Sequence, residues 1–257
     1  MTIHNLFDLS SKTALVTGGG QGIGKAIALA LAEYGANIII NYRSNTALAE
    51  ETAVQIRSLG VKCWLWPLDL AEDNITEKLN TFIITHDCPV DILVANASVQ
   101  IRKQWDQITD EEFATQVNVN LRSTLNLIQT VVPYMKEKQW GKILNIGSVQ
   151  QTRPHKDMCI YAASKAGLVN LVKNLSVQLA PFGINVNNLA PGVITTARNE
   201  EVLANPDYNK ATMQKIPLGF AGKPTDCAGL ALLLCSDAGK YITGGDFFVD
   251  GGMSLFN

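Results

Sequence analysis

Residues 13–41, TALVTGGGQGIGKAIALALAEYGANIIIN, decide the fold of this chain. Two short runs of apolar and β-branched residues, at 13–17 and 37–41, stand on either side of a glycine-rich turn and a helical pattern over residues 22–34. Strands favour short β-branched runs, whereas a helix favours apolar residues three or four positions apart. The stretch therefore predicts one β-α-β unit, in which a helix connects two parallel strands.

The same alternation continues along the rest of the 257 residues. Further strands are predicted at 62–68, 91–95, 142–146, 184–189 and 247–249, with helical patterns over 46–59, 73–85, 109–136 and 161–180. Continuously apolar strands that alternate with helices are typical of a parallel sheet covered on both faces. The predicted fold is α/β, a Rossmann-type doubly wound parallel sheet in three α/β/α layers. No linker-like stretch divides residues 1–257, so we expect a single domain.

Composition and charge limit the partners that the chain can have. The formal net charge of -2 gives no basic surface for nucleic-acid phosphates, so nucleic acid is not an expected partner. No apolar run reaches the length of about 18 residues that a membrane span needs. Residues 1–11 lack the pattern of a secretory signal, so we expect no membrane partner and a cytoplasmic location. The five cysteines show no metal-ligand spacing with the three histidines, so reduced thiols and no metal site are expected.

The predicted sheet also places the binding edge. In such sheets, ligands bind beyond the carboxyl ends of the strands, near the point where the strand order reverses. Three poorly periodic segments, at 97–108, 149–160 and 192–215, each follow a predicted strand. We expect them to form the walls of a substrate pocket, with a helical lid at about residues 197–215.

The glycine-rich turn at residues 17–24 is the first candidate site, with the spacing Gly-x-x-x-Gly-x-Gly from Gly18 through Gly22 to Gly24. Glycine lets the backbone approach a pyrophosphate, and the following helix offers unpaired N–H groups and the positive end of its dipole. The general dinucleotide fingerprint has a different spacing, and many glycine-rich turns are no more than tight connections. Its place in the first β-α-β unit favours a nucleotide site.

Ser148, Tyr161 and Lys165 form the second candidate site. Tyr161 and Lys165 are four residues apart and project from one face of the same predicted helix, while Ser148 follows a predicted strand. An ammonium group near a phenol favours the ionised form of the phenol, which suits a residue that exchanges a proton. The alternative is a packed ring beside a solvated charge, which is the commoner meaning of this spacing on an amphipathic helix.

These motifs occur together and in order, and with them the chain resembles the short-chain dehydrogenase/reductase family over essentially its whole length. The matching positions are the turn at 17–24, Asp69, Asn96, Ala97, Asn120, Ser148, Tyr161, Lys165, residues 191–196 and residues 250–252. The usual strand-four motif of the family is Asn-Asn-Ala-Gly, whereas residues 95–98 read Ala-Asn-Ala-Ser. Ser98 therefore alters the expected pocket shape, and whether its side chain touches cofactor or substrate stays open.

The resemblance implies a nicotinamide-dependent oxidoreductase, in which a pro-S-face hydride moves between the nicotinamide and the substrate carbon. Tyr161 would transfer the proton on the substrate oxygen, Ser148 would hold that oxygen, and Lys165 would bind the nicotinamide ribose. Asn120 would hold a water that connects Lys165 to solvent, although an amide inside a long helix has a competing structural role. The expected catalytic residues are Asn120, Ser148, Tyr161 and Lys165.

The end of the second strand, residues 40–44, should select the cofactor. An acidic residue there would bind the adenosine ribose hydroxyls of NAD. Tyr42 holds that position instead, and Arg43 with Ser44 can pair with the 2′-phosphate of NADP. We expect NADP, with the use of NAD left open. With the resemblance, the predicted cofactor-binding residues are Gly18, Gln21, Gly22, Ile23, Gly24, Tyr42, Arg43, Ser44, Asp69, Leu70, Asn96, Ala97, Tyr161, Lys165, Pro191, Gly192, Ile194 and Thr196.

The substrate-binding residues are predicted to be Ser98, Ser148, Gln150, Gln151, His155 and Tyr161. They are mostly neutral hydrogen-bonding groups, which favours slightly a small ketone, sugar or polyol. Residues 216–224 are similar to those of glucose 1-dehydrogenases and of 3-oxoacyl-carrier-protein reductases alike, so the second of these activities is an alternative. A non-catalytic NADP(H)-binding regulator is the alternative from another class, although such relatives commonly lose the active-site tyrosine.

The C-terminal part is more apolar than a final edge strand requires. Its apolar residues are Tyr241, Ile242, Phe247, Phe248, Leu255 and Phe256. Similar members of the family bury such segments between subunits, so the resemblance implies a homotetramer with two-fold symmetry. Packing of these side chains within one subunit is the alternative.

Overall fold

The computed structural model of the chain describes residues 2–255, apart from the side chains of residues 201–203. Its sheet is formed by β1 (Thr13–Thr17), β2 (Asn37–Tyr42), β3 (Cys63–Pro67), β4 (Ile92–Ala95), β5 (Gly141–Ile146), β6 (Ile184–Pro191) and β7 (Asp246–Val249). Each strand is parallel to its neighbours, in the spatial order β3-β2-β1-β4-β5-β6-β7. The prediction of a parallel, doubly wound α/β fold is confirmed.

Helices connect the strands across both faces of the sheet. The α-helices of the described chain are α1 (Gly22–Glu33), α2 (Thr46–Ser58), α3 (Ile75–His86), α4 (Asp110–Val117), α5 (Ser123–Lys138), α6 (Cys159–Leu179), α7 (Ala197–Ala204), α8 (Pro206–Met213) and α9 (Pro224–Leu234). Parallel strands need such crossovers because the chain must return to the start of the sheet before each new strand.

Two apolar cores lie on opposite faces of the sheet. Ala14 and Val16 of β1 pack with α1, α2 and α9, whereas Leu15 between them packs with α3, α5 and α6. Successive strand residues point to opposite faces, so a strand buried on both faces can carry apolar residues at successive positions, as β1 does at Ala14, Leu15 and Val16. All five residues of β1 are buried, which explains why its sequence shows a continuous apolar run rather than an alternating one.

The strand order reverses between β1 and β4. From β1 the chain builds outward through β2 to β3, and then returns to place β4 on the other side of β1. The loops that follow β1 and β4 therefore leave the sheet in different directions, and a crevice opens between them at the carboxyl ends of the strands. This crevice is where the fold provides room for a ligand.

The structure differs from the sequence prediction in two helices. The helical stretch predicted over 109–136 is divided by a π-helical turn at Asn118–Arg122, which separates α4 from α5. Helix α9 was not predicted, because its residues are almost uniformly apolar and show no helical period. It packs against α1 in the first core, so apolar side chains are needed on most of its surface.

None of the helices within residues 2–255 combines the length and the apolar character that crossing a membrane requires.

Helix α1 depends on Gly24, and this dependence can be measured. A Cβ atom at Gly24 would overlap the carbonyl oxygen of Gly18 and lie 2.6 Å from Nδ2 of Asn96. Gly24→Ala should therefore lower the free energy of unfolding by about 1–3 kcal/mol through overpacking. The matched control is Gly229→Ala in α9, where a Cβ meets no atom within 4 Å, and which should raise that free energy by about 0.5–1 kcal/mol. Urea unfolding of both variants checks this, and equal effects would contradict it.

Candidate active site

A cavity of ≈ 960 Å³ follows the carboxyl ends of the strands. One end lies at the loop after β2, and the other end is bordered by the segments that follow β4, β5 and β6, which we call the substrate end. The helices α7 and α8, which we call the lid, contribute to the substrate end. The three wall segments predicted from the sequence all reach this cavity.

The structure brings most of the predicted site residues to this cavity. The predicted residues that line it are Gly18, Gln21, Gly22, Ile23, Tyr42, Arg43, Ser44, Asp69, Leu70, Asn96, Ala97, Ser98, Ser148, Gln150, His155, Tyr161, Lys165, Pro191, Gly192, Ile194 and Thr196. Three others lie outside its lining, namely Gly24, Asn120 and Gln151. Gly24 lies against the Gly18 carbonyl and the Asn96 amide, where only a glycine fits.

The glycine turn is held open by side chains of the neighbouring strand ends. The hydroxyl of Thr17 accepts hydrogen bonds from the backbone N–H groups of Asn96 and Ala97, each at 2.9 Å. The Asn96 amide donates to the Thr17 carbonyl at 2.8 Å. Gly18 and Gly22 have φ values of 62° and 56°, a backbone region that residues with a side chain rarely adopt. The turn is therefore tied to β4, and its glycines Gly18, Gly20 and Gly22 present backbone without side chains to the cavity.

Helix α1 begins at this turn without a cap. Gln21, in the capping position, has an extended backbone, and no described side chain accepts from the first turn of the helix. Gly22 and Ile23, the first two residues of the helix, line the cavity. Unpaired N–H groups at a helix N-terminus attract anions, so this point in the cavity suits a phosphate.

The loop after β2 presents a cation without a partner. Arg43 is exposed, lines the cavity and forms no ion pair with any described side chain. Asn41 anchors the end of β2, because its amide donates to the carbonyls of Trp66 and Leu68 at 3.2 and 3.0 Å. These hydrogen bonds fix the end of β2, and the Arg43 guanidinium beyond it has no acidic partner among the described side chains, so it can bind an anionic ligand.

Lys165 lies at the centre of the site. Its Nζ donates to the Ile146 carbonyl at 2.6 Å and is 5.8 Å from the ring centre of Tyr161. The side chains of Lys165 and Tyr161 are buried, with 2% and 6% exposure. Burial, with a smaller contribution from the charge of Arg198, lowers the pKa of Lys165 to about 7. A buried ammonium without a carboxylate partner is costly, so the site favours an anion beside it.

Ser148 sits on a polar network that extends away from the cavity. The backbone N–H of Ser148 donates to Oε1 of Gln151 at 3.3 Å, and Nε2 of Gln151 donates to both carboxylate oxygens of Asp246 at 2.8 and 2.9 Å. The amide of Asn188 also donates to Asp246, at 2.7 Å. Gln151 therefore points into the protein and supports the Ser148 backbone from behind, a direction that the sequence did not reveal.

Asn120 lies in the π-helical turn. Its Oδ1 accepts from the Val99 N–H at 2.8 Å, and its Nδ2 donates to the Val99 carbonyl and to Oγ of Ser164, both at 3.0 Å. The side chain is 1% exposed. Its amide thus fastens the segment after β4 to α6, which is the structural role anticipated as the competing one.

Sequence reasoning overlooked four cations at the substrate end of the cavity. These are Arg102, Lys156, Arg198 and Lys215. Each belongs to one of the three predicted wall segments, so a count of charges along those segments would have found them. The neutral lining expected from the sequence is therefore incomplete, and the substrate end carries positive charge.

The depressed pKa of Lys165 predicts a link between stability and pH. Between the folded value of about 7 and the ordinary value of 10.5, the unfolded chain binds a proton that the folded chain does not. The folded state therefore loses stability as the pH falls through this window. Without cofactor, Lys165→Met should raise the free energy of unfolding at pH 7 by on the order of 2 kcal/mol, and the gain should shrink towards pH 10.

Urea unfolding at pH 7 and pH 9.5 tests this link. The control is Lys173→Met, at an exposed position of the same helix, which should change the free energy of unfolding by less than about 0.5 kcal/mol. A destabilised Lys165→Met protein at pH 7, or a gain that is the same at both pH values, would contradict the assignment.

Comparison with known proteins gives a consistent result. A family model described as enoyl-(acyl carrier protein) reductase matches residues 18–254. The chain is 36% identical over 250 residues to 3beta-hydroxysteroid dehydrogenase 1 of Eggerthella lenta, covering 97% of this chain and 96% of that protein.

Two solved structures show the same similarity. One is a gluconate 5-dehydrogenase from Burkholderia cenocepacia in complex with NADP and tartrate, with 32% identity, a TM-score of 0.92 and 100% of both chains covered. The other is a 3-oxoacyl (acyl-carrier-protein) reductase from Agrobacterium tumefaciens with NADP bound, with 34% identity, a TM-score of 0.91, and 98% of this chain and 97% of that chain covered. With the glycine turn, the strand order and the cavity just described, these similarities show that the chain belongs to the short-chain dehydrogenase/reductase family of oxidoreductases.

Proposed function

We propose that the protein is an NADP(H)-dependent oxidoreductase that interconverts a carbonyl group and a secondary alcohol, with Tyr161 as proton donor and acceptor. The observation that carries this proposal is that Lys165 Nζ lies over the ring of Tyr161, 5.8 Å from its centre, in a cavity that Ser148 also lines. A phenol, an amine that can carry charge and a hydroxyl in one cavity are groups that suit proton transfer to a carbonyl oxygen.

The lining of the cavity offers suitable partners for several parts of the cofactor. The glycines of the turn and the uncapped start of α1 suit the pyrophosphate. Asp69 also lines the cavity, and the family resemblance assigns it to the adenine. Arg43, unpaired at the end of β2, suits the 2′-phosphate of NADP. Both solved relatives described above hold NADP. NADPH, when bound, supplies the hydride; NAD stays an alternative because Arg43 does not exclude it.

The residues of the chain have separate tasks in this mechanism. Tyr161 gives its hydroxyl proton to the substrate oxygen in reduction and takes it back in oxidation. Ser148 Oγ donates a hydrogen bond to the same oxygen and so fixes the carbonyl beside the phenol. Lys165 places positive charge next to the phenol and binds the ribose beside it. Asn120, through its bonds to the Val99 backbone, keeps the wall after β4 in place and borders the route of the proton to solvent.

The substrate is proposed to be a small, polar ketone, sugar or polyol. The gluconate 5-dehydrogenase relative supports this class, and the hydroxyl and amide groups of Ser98, Gln150 and Ser148 at the cavity suit a hydroxylated molecule. The second candidate is reduction of a 3-oxoacyl group on a carrier protein, which the other solved relative supports. A regulator without turnover is disfavoured because Tyr161 and Lys165 are retained.

The assembly and location are also proposals. Tyr241 is 100% and Leu255 89% exposed, whereas Ile242 and Phe247 pack against the core. The exposed pair supports a homotetramer that buries the C-terminal part between subunits; Phe256 lies outside the described residues. All five cysteines are free and four of them are buried, which supports a reducing compartment such as the cytoplasm.

Removal of the phenol tests the proposed chemistry. Tyr161→Phe should lower kcat for any carbonyl that the protein reduces with NADPH by about 10²–10⁴-fold, while NADPH binding is retained. The control Tyr134→Phe, in α5 and outside the cavity lining, should keep wild-type turnover. Following the loss of NADPH absorbance over ketones, keto-sugars and acyl thioesters checks this. Turnover that survives in Tyr161→Phe would exclude the mechanism, and cofactor binding without turnover in the wild type would favour a regulator.

Removal of the Arg43 charge tests the choice of cofactor. Arg43→Gln should weaken NADPH binding by about 10- to 100-fold, because a hydrogen bond to a charged group is worth about 1.5–3 kcal/mol, and should leave NADH binding nearly unchanged. Lys62→Gln, just before β3 and outside the cavity lining, is the control. Fluorescence titration with each reduced cofactor gives both constants, and equal losses for NADPH and NADH would remove Arg43 as the phosphate-binding residue.

A further inference from the structure

The charge of the cavity lining is strongly one-sided. Its cationic residues are Arg43, Arg102, Lys156, Lys165, Arg198 and Lys215, whereas Asp69 is the one acid among the described residues that line it. The protein as a whole has a formal net charge of -2. The positive lining is therefore a local property of the cavity and does not follow from the composition of the chain.

Four of these cations belong to the substrate end. Arg43 follows β2, on one side of β1, and lies where the 2′-phosphate of NADP is proposed. Arg102 follows β4, Lys156 follows β5, and Arg198 and Lys215 follow β6, all on the other side of β1. The phosphates of the proposed cofactor would lie at α1 and Arg43. They therefore do not neutralise the four cations at the substrate end.

The segments that carry these four cations are fastened together. The backbone N–H of Lys103 donates to the Asp157 carbonyl at 3.0 Å, which joins the wall after β4 to the wall after β5. The guanidinium of Arg198 donates to Oγ and to the carbonyl of Ser98, at 3.1 and 2.8 Å, which joins the lid to the wall after β4. These bonds join the walls and the lid, and all four cations line the same cavity.

No acid neutralises them in the part of the chain whose side chains are described. Arg102, Lys156, Arg198 and Lys215 form none of the ion pairs found there. His155, which shares the site, has its pKa lowered by burial first and then by Arg102, Lys215 and Lys156, against an opposing effect of Asp157. Several unpaired cations around one cavity repel each other, and an anionic ligand relieves this repulsion.

Ser98 gains a specific role in this arrangement. The family motif usually has glycine at this position, and the departure was left unexplained by the sequence. Its hydroxyl accepts from Nη1 of Arg198, so the side chain holds this guanidinium against the wall after β4, and both residues line the cavity. A guanidinium has further N–H groups, and a planar carboxylate is a ligand that matches their geometry.

We propose that the substrate is a small hydroxy acid or oxo acid, whose carboxylate is bound by Arg102, Arg198 and Lys215 at the substrate end. This inference rests on the proposed function and names its substrate class. In reduction, the carbonyl carbon gains the hydride of NADPH, which leaves as NADP⁺, and the oxygen gains the Tyr161 proton; the carboxylate takes no part in bond changes. The four cations are exposed residues that line the cavity on the lid and on the facing walls; the proposal assigns them to a carboxylate of a small molecule, and binding of an acidic carrier protein is an outcome that the test distinguishes.

The test compares matched acids and neutral alcohols. The wild type is assayed with NADP⁺ on glycerate and glycerol, threonate and threitol, and gluconate and glucitol, which differ in a carboxylate against a hydroxymethyl group. We expect kcat/KM to be at least about tenfold higher for the acid of a reacting pair, since a hydrogen bond to a charged group outweighs one to a neutral group. The preference should fall in high salt.

Substitutions of Arg102 and Lys215 test whether these cations cause the preference for the acid over the alcohol. Arg102→Gln and Lys215→Gln should each lower the acid-to-alcohol ratio by about three- to tenfold, and the double variant by more. The matched control is Lys210→Gln, which removes an exposed charge from α8 outside the cavity lining and should leave the ratio unchanged. Equal rates for acid and alcohol in the wild type, or a ratio that the variants do not alter, would overturn the inference while the turnover itself upholds the oxidoreductase.

If none of the acid and alcohol pairs is turned over, a binding measurement still tests the anion site separately from the proposed oxidoreductase activity. Calorimetric titration of the NADP⁺-saturated protein with each compound should show that the acids bind more tightly than the alcohols, and that the double variant loses this difference. That result supports the anion site even if the proposed activity fails. No selective binding of any acid overturns the inference. The inference is also overturned if the protein turns over acyl-carrier thioesters, the same variants lower this turnover, and the acids do not bind.

Discussion

The parallel sheet is the constraint on which the rest of the structure depends. Because every strand runs in the same direction, each crossover returns the chain to the same starting edge, and each strand end delivers its loop to the opposite edge. The glycine turn after β1, the Arg43 loop after β2 and the walls after β4, β5 and β6 meet there for this reason. Residues that are far apart in sequence thus line one cavity.

The fold imposes a cost at this edge. Helix α6 buries Lys165 against the end of β5, with the Ile146 carbonyl as its hydrogen-bond acceptor and no carboxylate beside it. A buried and uncompensated lysine is unfavourable for the free protein, yet its position under Tyr161 and beside the proposed cofactor site makes an anionic ligand favourable. The proposed function would account for this cost, because sites that bind ligands and transfer protons commonly contain charged groups that lower stability.

The sequence revealed the parts of the molecule that obey a simple pattern. Strand β1 was predictable from its short run of apolar and β-branched residues, and helix α1 from apolar residues at helical spacing. Tyr161 and Lys165 could be placed on one helical face because they are four residues apart. Helix α9 was missed because it is apolar nearly all round, and the direction of Gln151 because it depends on the buried acceptor Asp246 in β7. The positive substrate end was missed because its cations come from three separate segments.

The central claim is that the cavity binds the anionic cofactor beside Lys165, and proton uptake tests it most directly. In the free protein the pKa of Lys165 is about 7, so at pH 8 its amine is mostly neutral. Ribose hydroxyls that accept hydrogen bonds from its Nζ, together with the negative charge of the cofactor phosphates, should raise that pKa and draw a proton from the buffer. Calorimetric titration at pH 8 with NADPH, whose reduced nicotinamide ring is uncharged, in buffers of different ionisation enthalpy, should show net proton uptake in the wild type and close to none in Lys165→Met. Equal uptake in both proteins, or none in the wild type, would contradict the account.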